Sequence, residues 1–518
     1  MQPDLIMTNA ESVALGDVPV LDFESLRNFL VGETRGGGRL ATLCGMPGQA
    51  GPHGGLRILA VVARDGAGIL RPVLSEVGPR YPALTPDLPQ AHLFEREMAE
   101  RFGVEPVGHP RPRPVRYTVP GSLGPKAPAK PRPLPADTDF FRMSGEEVHE
   151  VAVGPIHAGI IEPGHFRFQC HGETVFHLEI ALGYQHRGIE AALTGPLSRG
   201  GRGFGRIPHF MATAAGDTTV GHTLAWCGTV ESLTRTGVPE RAAAFRLIAL
   251  ELERLANHTG DLGALAGDVA YLPTMSFCGR LRGDFLNMTA LLCGNRFGRG
   301  LVVPGGVGFD ADGARLAELR GRFESTMRDV EGAADLLFET PSVRARFEHT
   351  GAITRETATA LGLVGPATRA CGLARDVRVD HPFGAYGRIR ARASTWPSGD
   401  VFARANVRRL EIRESARLIR TGLDALSTLP EGGIAADGPP WPRPMPPDSL
   451  TVSLVEAWRG EICHVAATGP DGRLSFYKMT DPSFHNWEGL AMALRGVAVS
   501  DFPLCNKSFN LSYCGHDL

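Results

Sequence analysis

The sequence predicts an α+β protein in two unequal units. A small N-terminal α+β domain, residues 1–117, is tethered through residues 118–140 to a mainly α-helical domain, residues 141–518, with β-hairpins at its start and end. Three observations predict this. Pro125, Pro128, Pro131, Pro133 and Pro135 crowd the stretch from Thr118 to Thr138, which rules out a helix or a central strand there and leaves an extended tether. Before it, Ile58 to Val62 and Ile69 to Val73 read as short strands about the turn-forming Asp65-Gly66, followed by a helix-forming run from Gln90 to Arg101. After it, an alternating stretch from Glu150 to Leu182 reads as hairpins and gives way to long apolar-periodic runs.

The best of those runs is Pro239 to His258. Proline occupies its first turn, and Phe245, Leu247, Ile248, Leu250, Leu252 and Leu255 supply a broad apolar face. Gly260 and Gly263 lie just past the expected end. Further helices are expected over 314–338 and 401–427. A proline-rich excursion, Pro430 to Pro447, reads as a surface loop ahead of strands between Thr451 and Phe476.

Composition narrows the function. A formal net charge of −2 gives no reason to expect nucleic-acid binding. No apolar run approaches the roughly 20 residues that cross a bilayer, and the start, Met1-Gln2-Pro3-Asp4, lacks the basic flank of a signal peptide. The expected location is therefore cytoplasmic, with membrane contact through partners. Nine cysteines occur without one Cys-x-x-Cys, which argues against a self-contained zinc or iron–sulfur site. No Gly-x-Gly-x-x-Gly opens a strand–helix unit, so a nicotinamide site is not expected in this chain.

Several motifs carry a resemblance. Glu95-Arg96-Glu97, Glu100, Phe102-Gly103 and Gly108-His109-Pro110 resemble the signature of the C subunit of bacterial complex I, with Glu100 where aspartate is usual. Gly183 to Glu190, Asp481-Pro482 and Glu456 to Glu461 resemble the large subunit of membrane-bound [NiFe] hydrogenases and its relative, the complex I D subunit. The chain is thus identified as a member of this family in its fused, formate-hydrogenlyase-like form.

The resemblance implies site residues. In hydrogenases two Cys-x-x-Cys pairs hold nickel and iron; the matching positions read as Ala215 and Thr218, then Ser483 and Asn486. None is a soft anionic ligand, so the nickel–iron group is expected to be absent and no metal ligand is assigned. The hairpin carrying His157 and His165 resembles the one lining the quinone headgroup pocket of complex I, where histidine suits a site that donates or accepts near working pH. Glu190 matches a proton-transfer glutamate, and with Asp217 these histidines are the candidate catalytic groups. Arg187 can also form a local ion pair with Glu190. Arg187, His222 and Arg459 are candidate cofactor-contacting residues, although His222 at helix spacing is more often a satisfied core histidine and Arg459 is expected to pair with a carboxylate. Glu251, Arg254 and His258 share one helix face and should be partly buried.

The implied function is a peripheral-arm component on the cytoplasmic side of the bacterial inner membrane. It would pass electrons from a small iron–sulfur partner, resembling the B-type protein of complex I, to a quinone-like acceptor, coupled through membrane-arm subunits to ion translocation. The alternative is a redox-silent scaffold. An open channel with unpaired polar groups between the His157–His165 hairpin and Glu190 favours a ligand, and tight packing by Phe166, Phe484 and Trp487 favours the scaffold.

Overall fold

A computed structural model describes residues 5–47, 56–118, 139–157, 161–195 and 201–518. The proline-rich tether expected over 118–140 lies almost wholly outside the described residues, as does the tip of the hairpin between His157 and Ile161.

In the N-terminal unit, β1 (Ser12–Ala14) and β2 (Val20–Leu21) precede α1 (Phe23–Arg35) and a meander of β3 (Arg39–Pro47), β4 (Leu56–Arg64) and β5 (Ile69–Val77). The sheet runs β2-β5-β4-β3, and α1 packs on one face with Leu26 and Leu30 fully buried. The other face does not meet solvent. Ala41, Leu59, Val61 and Leu74 pack against Leu450, Val452, Leu454 and Phe476 of the C-terminal unit in one apolar cluster. Next comes α2 (His92–Phe102), whose Glu-Arg-Glu signature is structural. Glu95 accepts from the Leu84 and Thr85 amides, Arg96 donates to the Arg113 and Pro114 carbonyls, and Glu100 accepts from the Val115 and Arg116 amides. The motif straps the chain leaving this unit onto its own helix.

The C-terminal unit opens with a meander of β6 (Val148–Val153), β7 (His165–His171) and β8 (Thr174–Ala181), then the short α3 (Ile189–Thr194). Longer helices follow: α4 (Thr219–Leu233), α5 (Glu240–Asp268), α6 (Leu272–Cys293), α7 (Gly313–Glu339) and α8 (Val401–Thr428). A sheet of β9 (Ser449–Ala457), β10 (Gly460–Thr468) and β11 (Leu474–Thr480) then leads into α9 (Pro482–Ala493), α10 (Phe502–Phe509) and α11 (Tyr513–Asp517). The helices α5, α6, α7 and α8 pack as a bundle with α5 at its centre. The N-terminal β1 adds to the edge of β9, Ser12 opposite Thr451, so both units share one antiparallel sheet.

The expectation that the central helix ends near His258 is corrected. It runs on to Asp268, and Gly260 and Gly263 lie inside it. A Cβ at Gly263 would sit 2.7 Å from Cys278 Cβ, and one at Gly260 2.7 Å from Arg282 Cδ. These glycines let α6 approach α5 closely rather than stopping a turn. The Glu251, Arg254 and His258 face is fully buried rather than partly so. Arg254 bonds Glu251 at 3.1 Å and the Glu456 and Ala457 carbonyls, while His258 meets Glu411 at 2.8 Å. Ions this deep persist only when paired and fully hydrogen-bonded.

Candidate functional site

Two short segments face each other across the C-terminal unit. Residues 212–218 lead into the N-terminus of α4, and Ser512 to Asp517 form the last helix with its cap. Between them lies a cavity of about 580 Å³, lined by Glu162 from the β6–β7 hairpin, Tyr184 to Arg187, Thr213, Gly216, Asp217, Arg299, Ser512 and Cys514. Tyr184 Oη and Gln185 Oε1 are buried and have no hydrogen-bond partner among the described residues.

The wall of this cavity is set by charge pairs. Arg459 donates to both carboxylate oxygens of Asp217, at 2.5 and 2.7 Å, and to the Asn510 carbonyl at 2.5 Å. Burial pushes the Asp217 carboxyl up, but the Arg459 guanidinium outweighs it and holds the group below its ordinary value. The carboxylate expected for Arg459 is therefore Asp217, and a bidentate fork is the strong form of that contact. Arg187 donates to the Thr213 and Ala214 carbonyls at 2.6 and 3.0 Å. The local ion pair expected between Arg187 and Glu190 does not form, because each has a better partner on another segment.

Glu190 sits behind the cavity, where the two units meet. It pairs with Arg101 of α2, with Lys478 of β11 at 3.1 Å, and accepts from the Met479 amide at 2.9 Å. Glu97 pairs with the same lysine at 2.6 Å and with Arg116. Burial alone would raise the Glu190 carboxyl, yet Lys478 and Arg101 hold it far below the usual carboxylate range. The group stays ionised and welds the units together.

His157 and His165 do not line the cavity. His165 is buried, with Nδ1 3.0 Å from the Gly154 carbonyl, and its ring packs on Phe140. His157 packs over Gly154 beside Phe166. The Nε2 atoms of both are buried without a partner among the described residues. From this hairpin it is Glu162 that reaches the cavity. His222 is fully buried and stands in a hydrogen-bonded row: Asp481 at 3.0 Å, His464 at 3.2 Å, and Tyr477 Oη 2.9 Å beyond His464. Each imidazole in that row is satisfied.

The positions read as lost thiolates, Ala215, Thr218, Ser483 and Asn486, are all buried, and none of them is among the residues that line the cavity. Asn486 bonds the Val364 amide and carbonyl, both at 3.0 Å, and Ser483 Oγ accepts from the Ser512 amide at 2.8 Å. The segment that faces 215–218 is Ser512 to Gly515, which repeats the same three-residue step. It also carries Cys514, which no sequence motif singled out. Eight of the nine cysteines are buried, and Cys514 alone is partly exposed. Its amide donates to Glu162 at 3.1 Å and its sulfur lies 3.4 Å from Ser512 Oγ. Burial, helped by the Glu162 charge, pushes the thiol up to about 11.

These donors do not fit a nickel–iron centre. Thr218 Oγ1 is occupied by Trp458 and Arg459, Ser512 Oγ caps Gly515, and Ala215 offers nothing. Among the described residues no group of three His, Cys, Asp or Glu side chains is arranged to hold a metal ion. No helix among them is long and apolar enough to cross a membrane.

The chain matches two family profiles: respiratory-chain NADH dehydrogenase 30 Kd subunit over residues 25–128, and the 49 Kd subunit over residues 268–446. It is 32% identical to formate hydrogenlyase subunit 5 of Escherichia coli, over 84% of this chain and 76% of that one. It is 29% identical to hydrogenase-4 component G of the same organism, over 84% and 75% respectively. In structure it resembles a chain of the membrane-bound sulfane sulfur reductase, an archaeal respiratory membrane complex, with a TM-score of 0.66 and 23% identity, covering 72% of this chain and 99% of that one. The chain belongs to the family in which 30-kDa-type and 49-kDa-type complex I subunits are fused, together with formate hydrogenlyase subunit 5 and the membrane-bound hydrogenase large subunits.

Proposed function

We propose that this chain is the peripheral-arm component of a membrane oxidoreductase complex and that its cavity receives the electron acceptor. One observation carries the reading: about 580 Å³ of space between residues 212–218 and the last helix, lined by Tyr184, Arg187, Asp217 and Arg299. A quinone headgroup has matching chemistry, since its two carbonyl oxygens can accept from the Arg187 and Arg299 guanidinium groups that line the space. Electrons would arrive from a small iron–sulfur partner of the complex I B type, and membrane-arm subunits would couple the reduction to ion translocation on the cytoplasmic side of the membrane. This chain's own part is to bind the acceptor and deliver protons to it.

A scaffold role has one observation in its favour. Phe166 packs with Trp487, Phe502 and Tyr513 in a closed aromatic layer beside the hairpin. None of these four rings is among the residues that line the cavity. Saturable binding of a short-chain ubiquinone to the assembled complex decides between the readings. Gly216 borders the cavity, and no atom lies within 4 Å of a Cβ placed there, so Gly216→Phe fills space without a backbone clash. The acceptor reading expects binding in wild type and at least roughly tenfold weaker binding in the variant. No saturable binding in wild type, or equal affinity in both, favours the scaffold.

A further inference from the structure

We propose that His186 is the proton relay of the acceptor cavity, a role that rests on the acceptor reading above. Two cavities share this one imidazole. It forms part of the wall of the 580 Å³ cavity and also of a second pocket of about 60 Å³, bounded by Glu97, Glu100, Arg101, Arg116 and Glu190. That smaller pocket reaches partly exposed side chains at Glu100 and Arg101, so water has a way in.

The ring is held for the task. His186 Nδ1 lies 2.8 Å from the Asp517 carbonyl. A carbonyl only accepts, so Nδ1 carries hydrogen in both the neutral and the charged ring, and the titrating lone pair is on Nε2. No protein group bonds Nε2 among the described residues. Its competitors for the role are occupied. Glu190 is ion-paired to Arg101 and Lys478, Asp217 has both oxygens on Arg459, and neither His157 nor His165 reaches the cavity.

The step balances simply. The imidazolium gives its Nε2 proton to an oxygen of the acceptor as an electron arrives from the iron–sulfur partner, and a proton from hydronium in the solvent, passed along water in the small pocket, then reloads Nε2. Groups from every side set its affinity. Burial lowers it first; the Asp517 carbonyl raises it, Arg116 lowers it, and the Glu190 and Glu100 charges raise it. The net lies below the ordinary histidine value, so delivery quickens as the pH falls through and below about 6.5.

The test uses the purified membrane complex, reduced anaerobically, with short-chain ubiquinone added and reoxidation followed from about pH 5.5 to about pH 8.5, a range that brackets the ordinary histidine value. Wild type should reoxidise faster at low pH and slow in heavy water. His186→Gln should be roughly 100-fold slower, with the pH dependence gone and partial rescue by added imidazole. An active wild type whose rate ignores pH and heavy water overturns the relay without needing the variant, and so does a variant with wild-type rate and profile. A wild type that never reoxidises sinks the acceptor reading itself, which separates the two failures.

Discussion

Arg459 grips Asp217 by both carboxylate oxygens, at 2.5 and 2.7 Å, and so ties the turn between β9 and β10 to the loop that enters α4. Trp458 reinforces the joint, its indole nitrogen 3.0 Å from the Asp217 carbonyl. The edge of the cavity is thus built by an ion pair and a backbone bond.

Removing the carboxylate should therefore loosen the fold as well as the site. Asp217→Asn leaves a buried guanidinium with the Asn510 carbonyl as its remaining strong partner. About a third of the Asp217 side chain is open to the cavity (34% exposed), so solvent screens part of the loss. The expected cost is roughly 2 kcal/mol, read as a lower urea midpoint of Trp fluorescence. A midpoint unchanged from wild type contradicts the positioning role.

The contact between units has its own pH signature. Lys478 and Arg101 hold the Glu190 carboxyl below its ordinary 4.5 despite burial. A depressed acid contributes stability that is present above the unfolded value and lost as the pH falls below it. Wild type should thus weaken steeply below about pH 4.5, and Glu190→Gln, already weaker at neutral pH, should show a shallower fall. Parallel curves for the two proteins would mean that the pairing is not the source.

Glu253 behaves in the opposite sense. Burial raises its carboxyl to about 8, against the lowering effect of the Val220 and Gly221 amides that it accepts. Between about 4.5 and about 8 the folded protein keeps a proton that the unfolded chain releases, so this group makes stability fall as the pH rises. Glu253→Gln should flatten that fall and be the more stable protein at about pH 8. A variant less stable than wild type there, and equal to it at about pH 5, would contradict this.

Cys514 gives a reporter inside the cavity. With its thiol raised to about 11, only the small thiolate fraction reacts. Iodoacetamide should label Cys514 before the buried cysteines, slowly at about pH 7 and about tenfold faster per pH unit above it, and short-chain ubiquinone should protect it. Labelling that starts at another cysteine, or that quinone does not slow, counts against this geometry.

Much of the fold is legible in the sequence where local signals suffice. The helices expected over 314–338 and 401–427 are α7 and α8, Gly313–Glu339 and Val401–Thr428. Each is opened by an aspartate that accepts the amide three residues on, Asp312 from Arg315 and Asp400 from Ala403. Gly260 and Gly263 misled because a stop signal and a packing gap use the same residue. The site was less legible. Asp481-Pro482 marks a helix start, with Asp481 accepting from the Ser483 amide, whereas the residues of the C-terminal segment that line the cavity are Ser512 and Cys514, further along the chain. The partners of Glu190 come from α2 and β11, and no local spacing announces a pairing across that distance. Lys478, one of only four lysines, pairs with Glu97 and Glu190 from distant segments, a contact that no local pattern around it signals.

The most direct measurement is anaerobic reoxidation of the reduced iron–sulfur centres by short-chain ubiquinone, in wild type and in Gly216→Phe. An acceptor cavity at this place requires fast reoxidation that collapses when the space is filled, with the complex still assembled. Reoxidation equally fast in both would place the acceptor elsewhere and contradict it.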